Sequence, residues 1–253
     1  MEIAEIVVIL AAGVAAGFLN IVAGGGSLLT LPILIFIGLP AAVANGTNRV
    51  GLFVEAIVGV ANFRKKGFFE PKYSIELALP AIAGAIIGSS LVIEIPDEIF
   101  NKVLACVMVL ILGFVILNQQ NKPPVRNLSF SKSQRIMSSA AFFFIGLYGG
   151  SIQAGVGFII IAALSFITRL SLVNINTIKI FVVGAYLIPS LAIFIYNGKV
   201  NWAIGFVLAI GMGIGAWLGS HFTVKKGDKW IKAVLAVAVL VMAAKLLGVF
   251  ELF

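Results

Sequence analysis

The sequence predicts an all-α polytopic membrane protein made of two inverted-topology repeats, each a broken or re-entrant helical hairpin followed by three transmembrane helices. Composition is the first reason: 61% of the 253 residues are hydrophobic and 11% are charged, against about 25% charged in a soluble domain. The second is the length of the uncharged runs. Leu77 to Ile93, Val103 to Asn121, Ile180 to Gly198 and Val200 to Ser220 each suit one bilayer crossing of about 20 residues, and they lack the alternation of barrel strands. The third is an internal repeat.

A shift of 131 positions, with no gap, carries Ala23, Gly24 and Gly26 onto Ala154, Gly155 and Gly157, Asn45 onto Asn176, and Gly88-Ser89 onto Gly219-Ser220. A constant offset over that distance marks structural repeats. The expected divisions are 1–118 for the first repeat, 119–135 for a cytoplasmic linker and 136–253 for the second repeat. Each repeat opens with a broken element (3–38; 138–168). Helices follow near 42–63, 74–93 and 100–118, and again near 173–196, 200–220 and 230–248. Asn118 to Arg135, with Pro123-Pro124 and four basic residues, reads as a polar, non-helical connection.

The first broken element lies in Ile6 to Asn48, which holds no charged side chain and is interrupted by Ala23-Gly24-Gly25-Gly26-Ser27. Three successive glycines open the backbone. In hydrocarbon its N–H groups need a partner, and at the start of the following helix they attract anions. Close packing of neighbouring helices is the other use of such glycines, and the sequence leaves both open.

Loop charges set the orientation. If each broken element dips in and returns, the loops holding Lys66, Pro124 and Lys226, together with Arg169, gather thirteen basic residues on the inside, and Lys199 is the one loop cation outside. The acidic loop Glu94-Ile95-Pro96-Asp97-Glu98 and both termini then lie outside. A full crossing would put Lys225, Lys226, Lys229 and Lys232 outside, against the positive-inside rule. This distribution also explains the net charge of +8 without nucleic acid. Met1-Glu2-Ile3-Ala4-Glu5 lacks the basic leader of a cleaved signal peptide, so the first helix is expected to remain. A single cysteine, Cys106, and a single histidine, His221, offer neither a disulfide nor a metal cluster. No P-loop or nucleophile–base pair appears, so an enzyme is the least favoured class, and no cofactor is expected.

Ionisable groups inside the spans are costly and mark function by default. They are Arg49, Glu55 and Lys179, whereas Lys102 and Lys245 sit near helix ends and can snorkel. Asn45, Asn48, Glu55 and Asn62 fall on one helical face with Gly59. The shift carries them onto Asn176, Lys179, Tyr186, Ile193 and Ser190, so two polar stripes are expected to face each other. Lys179, standing where the first half has Asn48, calls for an anion or for an ion pair with Glu55. Arg49, one residue off the stripe, meets either a hairpin carbonyl or a substrate oxygen.

These residues carry a resemblance. Phe18-Leu19-Asn20-Ile21-Val22-Ala23-Gly24-Gly25-Gly26-Ser27 with Pro32, Asn45-Gly46-Thr47-Asn48-Arg49, Gly149-Gly150 through Gly155-Val156-Gly157, and Asn176-Thr177-Ile178-Lys179 resemble the sulfite exporter TauE/SafE family over the whole chain. Ile178 interrupts the family's Thr-Lys pair. The resemblance implies a multi-pass transporter of the cell (inner) membrane moving a small sulfur-containing anion such as sulfite, sulfoacetate or another organosulfonate, by alternating access around a midplane site between the repeats. The candidate substrate-binding residues are Gly24, Gly25, Gly26, Ser27, Asn45, Asn48, Arg49, Gln153, Gly155, Gly157, Asn176, Thr177 and Lys179, with Glu55 and Tyr186 for coupling or gating. Its partners are then the anion, the bilayer and a coupling proton or ion. A passive anion channel or a membrane assembly factor is the alternative.

Overall fold

The computed structural model describes residues 3–69, 71–100, 102, 103, 106, 131–168, 170–227, 229, 230, 233 and 234. Among them the long elements are all α-helices: α1 (Ile3–Val22), α2 (Ser27–Phe36), α3 (Ala41–Lys65), α4 (Pro71–Val92), α5 (Lys132–Ser151), α6 (Val156–Thr168), α7 (Leu172–Tyr196) and α8 (Trp202–Lys226). The helices expected near 100–118 and 230–248, most of the 119–135 linker and Arg169 lie outside the described residues.

Four of these helices, α1, α4, α7 and α8, are long and apolar enough to cross a membrane. With 10 and 13 residues, α2 and α6 reach only about 15 and 20 Å, well short of a hydrocarbon core of about 30 Å. The expected spans shift by a few residues at their ends. The largest changes are at α8, which continues to Lys226, and at α5, which begins at Lys132 inside the expected linker because Ser131 and Gln134 form a reciprocal capping box there.

Contacts along the helices fix their directions. Gly13 of α1 meets Leu208 and Gly211 of α8, and Phe18 meets Phe222 with ring centroids 5.4 Å apart, so α1 and α8 run the same way. Val50 lies against Gly205, and Asn62 donates to Ser220 at 2.9 Å, so α3 runs with α8 as well. Since α1 and α3 point in one direction, α2 must bring the chain back between them. The element α1–α2 is therefore a re-entrant hairpin. In the second half the Gln134 amide at the start of α5 donates to the Ile167 carbonyl at the end of α6, 2.8 Å away, which closes the matching hairpin. Finally, Gly46 at the start of α3 sits against the Lys199 carbonyl beyond α7, while Phe69 beyond α3 meets Phe181 near the start of α7. The equivalent helices α3 and α7 run antiparallel, so the repeats are inverted.

Each hairpin packs on the last described helix of the other repeat, α1 on α8 and α5 on α4. Small residues every fourth position let the backbones touch: a Cβ on Gly215 would lie 2.2 Å from the Val14 carbonyl oxygen, and one on Gly84 2.1 Å from that of Phe143. These paired contacts show that the gapless shift needs correction. Helices α3 and α7 match at 131, but Val14 and Phe143 match at 129. Two extra residues enter the second repeat between its break and α7, within the longer α6.

Candidate functional site

Among the described residues both buried cations serve as caps on the opposite repeat's hairpin. Lys179, on α7, donates to the carbonyls of Asn20 at 2.7 Å and Ile21 at 3.0 Å and to the side-chain oxygen of Asn176 at 2.7 Å. Its three N–H donors are thereby used. Asn176 in turn donates to the Val22 carbonyl at 3.0 Å. Arg49, on α3, donates to the carbonyls of Gly149 at 3.2 Å, Gly150 at 2.6 Å and Ser151 at 3.3 Å, to Ser190 at 2.7 Å and to Asn45 at 3.3 Å, with its guanidinium 4.4 Å from the centre of the Phe194 ring. Asn45 donates to Ser151 at 2.6 Å, the counterpart of Asn176 to Val22. A helix C-terminus exposes unsatisfied carbonyls and a partial negative charge, so a cation and an amide at each hairpin end satisfy both. Of the two alternatives for Arg49, the structure shows the hairpin carbonyls. For Lys179 the expected ion pair with Glu55 is not formed: Asn20 stands between the two, its amide on Glu55 and its carbonyl under Lys179.

The two breaks meet back to back. A Cβ on Gly24 would fall 2.4 Å from the Gly157 carbonyl carbon, and one on Gly157 would fall 2.3 Å from the Gly24 Cα. Gly24 turns at φ +93°, and its structural counterpart is Gln153 at φ +69°, an uncommon conformation for a residue with a side chain. Gln153 is held there by the Tyr186 hydroxyl, which donates to its side-chain oxygen at 2.9 Å. The Tyr148 hydroxyl also donates to the Ala154 carbonyl. Two residues after Gln153, Gly155 turns at φ +68°. The second break is thus tied by tyrosines of the helix before it and of α7.

At the first break the α2 ladder begins with the Leu28 N–H donating to the Gly25 carbonyl at 3.0 Å. The earlier N–H groups, of Gly25, Gly26 and Ser27, belong to the turn for which a helix offers no internal acceptor. Beside them Thr30 donates its hydroxyl to the Asn48 side-chain oxygen at 2.7 Å. Asn48 is fully buried, and its Nδ2 has no partner among the described residues. Glu55, 1% exposed, accepts from Asn20 at 2.7 Å through Oε1, and its Oε2 likewise has no partner.

The expected face-to-face polar stripes are not what the helices present. Where α3 crosses α7, Ala56 meets Gly184 and Gly59 meets Ile180, so the crossing is apolar. Asn45, Asn48, Glu55 and Asn62 turn instead to α5, α2, α1 and α8. Beside Gly59, on the same face, lie Ile21 and Ile180. Thr177 bonds back to Val173 of its own helix at 3.0 Å. Asn20, Thr30 and Ser89 join the network although the spacing argument passed over them, and Ser190, expected on the second stripe, joins it by accepting from Arg49. Asn20, a polar residue one turn before the glycine run, was the one detectable from sequence.

Re-entrant inverted hairpins with charged groups at mid-depth are the construction of a membrane transporter. The comparisons agree on that class and give the family. The chain belongs to the sulfite exporter TauE/SafE family, whose profile matches residues 9–246. It is 31% identical over 239 residues to the probable membrane transporter protein YfcA of Escherichia coli K12, covering 92% of this chain and 86% of that one. It is 25% identical to the probable membrane transporter protein ORF9 of a Sinorhizobium species, covering 92% and 88%. A probable membrane transporter protein of Haemophilus influenzae is 27% identical, covering 92% and 91%. No solved structure matches the chain.

Proposed function

We propose that the protein is a secondary transporter, working as an exporter in the cell inner membrane, for a small sulfur-containing anion such as sulfite, sulfoacetate or another organosulfonate. The observation that carries this reading is the buried, unpartnered Asn48 amide at the N-terminus of α2. Free donors beside a helix N-terminus in a protein interior suit an oxyanion. Arg49 and Lys179 contribute from the hairpin ends: two cations against the one carboxyl of Glu55 leave the centre electropositive while their donors stay on carbonyls. In this reading Gly25, Gly26, Ser27 and Asn48 touch the anion, and alternating access exchanges the side from which the first break is reached.

Binding of sulfite, sulfoacetate and methanesulfonate to purified protein, followed by calorimetry, tests this. At least one should bind saturably, and Asn48→Ala should weaken it by about 10- to 150-fold, the worth of a hydrogen bond of about 1.5–3 kcal/mol to a charged group. Binding unchanged by Asn48→Ala would place the site elsewhere.

A further inference from the structure

Glu55 and Tyr186 occupy equivalent positions, 131 residues apart on α3 and α7, and their comparison isolates what the acid adds. Tyr186 donates to Gln153 of its own hairpin break at 2.9 Å. Glu55 accepts from Asn20 of its own hairpin at 2.7 Å. Both side chains tie their hairpin, at or just before its break, to the long helix that follows it, so a neutral hydroxyl suffices for that structural task. The first repeat nevertheless uses a carboxyl, buried to 1% exposure with Oε2 unanswered. An ionised carboxylate left half-paired in such a place is expensive, and the species that answers a lone acceptor oxygen there is a proton.

We propose that Glu55 carries the coupling proton of this transporter, an inference that rests on the transporter reading above. One proton binds Oε2 on one side of the membrane, taking the side chain from charge −1 to neutral, and leaves on the other. The groups facing it are few. Asn20 comes from α1, and Lys179 of α7 holds the Asn20 carbonyl at 2.7 Å. No ionisable residue lies on α2, and those of α8, His221, Lys225 and Lys226, stand in its last two turns. Asn20 therefore joins the two, its amide on Glu55 and its carbonyl under Lys179, so that discharging Glu55 weakens the grip on the end of α1.

Infrared titration of the purified protein tests proton binding without reference to any substrate. Wild type should show a buried carboxylic-acid carbonyl band that disappears on raising pH, and Glu55→Gln should lack it. Absence of that band in wild type, or its persistence in Glu55→Gln, overturns the proposal. Coupling is read in vesicles loaded with a pH dye, using methanesulfonate, which does not titrate near neutral pH. Wild type should move protons with the anion. Glu55→Gln should lose the proton signal; a proton signal retained in that variant overturns the proposal. Failure of methanesulfonate, sulfite and sulfoacetate to bind wild type would count against the anion reading, and the infrared result would still decide Glu55.

Discussion

Replacing Lys179 by Met removes three donors from buried oxygens, those of Asn20, Ile21 and Asn176. Each acceptor left bare costs about 1–3 kcal/mol. Lys179→Met is therefore expected to lower the unfolding midpoint in detergent by several degrees, whereas Asn48→Ala, which removes one buried acceptor, that of the Thr30 hydroxyl, should lower it by less. A Lys179→Met protein that is as stable as wild type but no longer binds anion would return the lysine to the direct role that its position on the polar stripe implied. At this scale the sequence revealed the mid-span charges and offered the hairpin carbonyls as one alternative for Arg49, but not the partners of Lys179 or Glu55. Arg49, Glu55 and Lys179 stand out because each is costly in an apolar run. The two cations reach main-chain carbonyls of Asn20, Ile21, Gly149, Gly150 and Ser151, which side-chain identity does not announce, and Glu55 accepts from the Asn20 amide.

Two glycines two residues apart on α8 separate close helix packing from mere smallness. At Gly215 a Cβ would meet the Val14 carbonyl oxygen at 2.2 Å, while at Gly213 the nearest atom is a Val54 methyl at 3.3 Å. Gly215→Ala should destabilise the protein by about 1–3 kcal/mol or more through forced separation of α1 and α8, and Gly213→Ala should be close to neutral. Thermal unfolding of the two variants measures the difference. The same repeated spacing made the duplication legible from sequence, because a shift that superimposes Gly84 on Gly215 also superimposes Gly88 on Gly219. What the shift concealed was the two-residue insertion, since Gly24-Gly25-Gly26 and Gly155-Val156-Gly157 align well enough by eye. In the fold Gly24 corresponds to Gln153, and a glutamine opposite a glycine gives no pattern to find.

For the whole molecule, antiparallel α3 and α7 impose opposite orientations on the two repeats, and the loop charges then choose one of two ways up. After Cys106→Ser, cysteines introduced at Lys66 and Lys226 should resist an impermeant thiol reagent in intact cells, and one at Glu94 should react. Labelling at Lys226 with protection at Glu94 would reverse the assignment. Class and architecture were legible from composition, run length and basic loops because the bilayer constrains all three. The direction of α2 was reached through loop charge alone and follows in the structure from the packing of α1 and α3 on α8.

Transport against a gradient tests the central claim most directly. Purified protein in liposomes, given radiolabelled sulfite or sulfoacetate with an imposed pH difference, should accumulate the anion above its outside concentration, and Asn48→Ala should reduce that accumulation by about tenfold or more, the lower end of one charge-assisted hydrogen bond. Flux that only dissipates a gradient, equal in wild type and Asn48→Ala, would contradict the account and make the protein a passive channel.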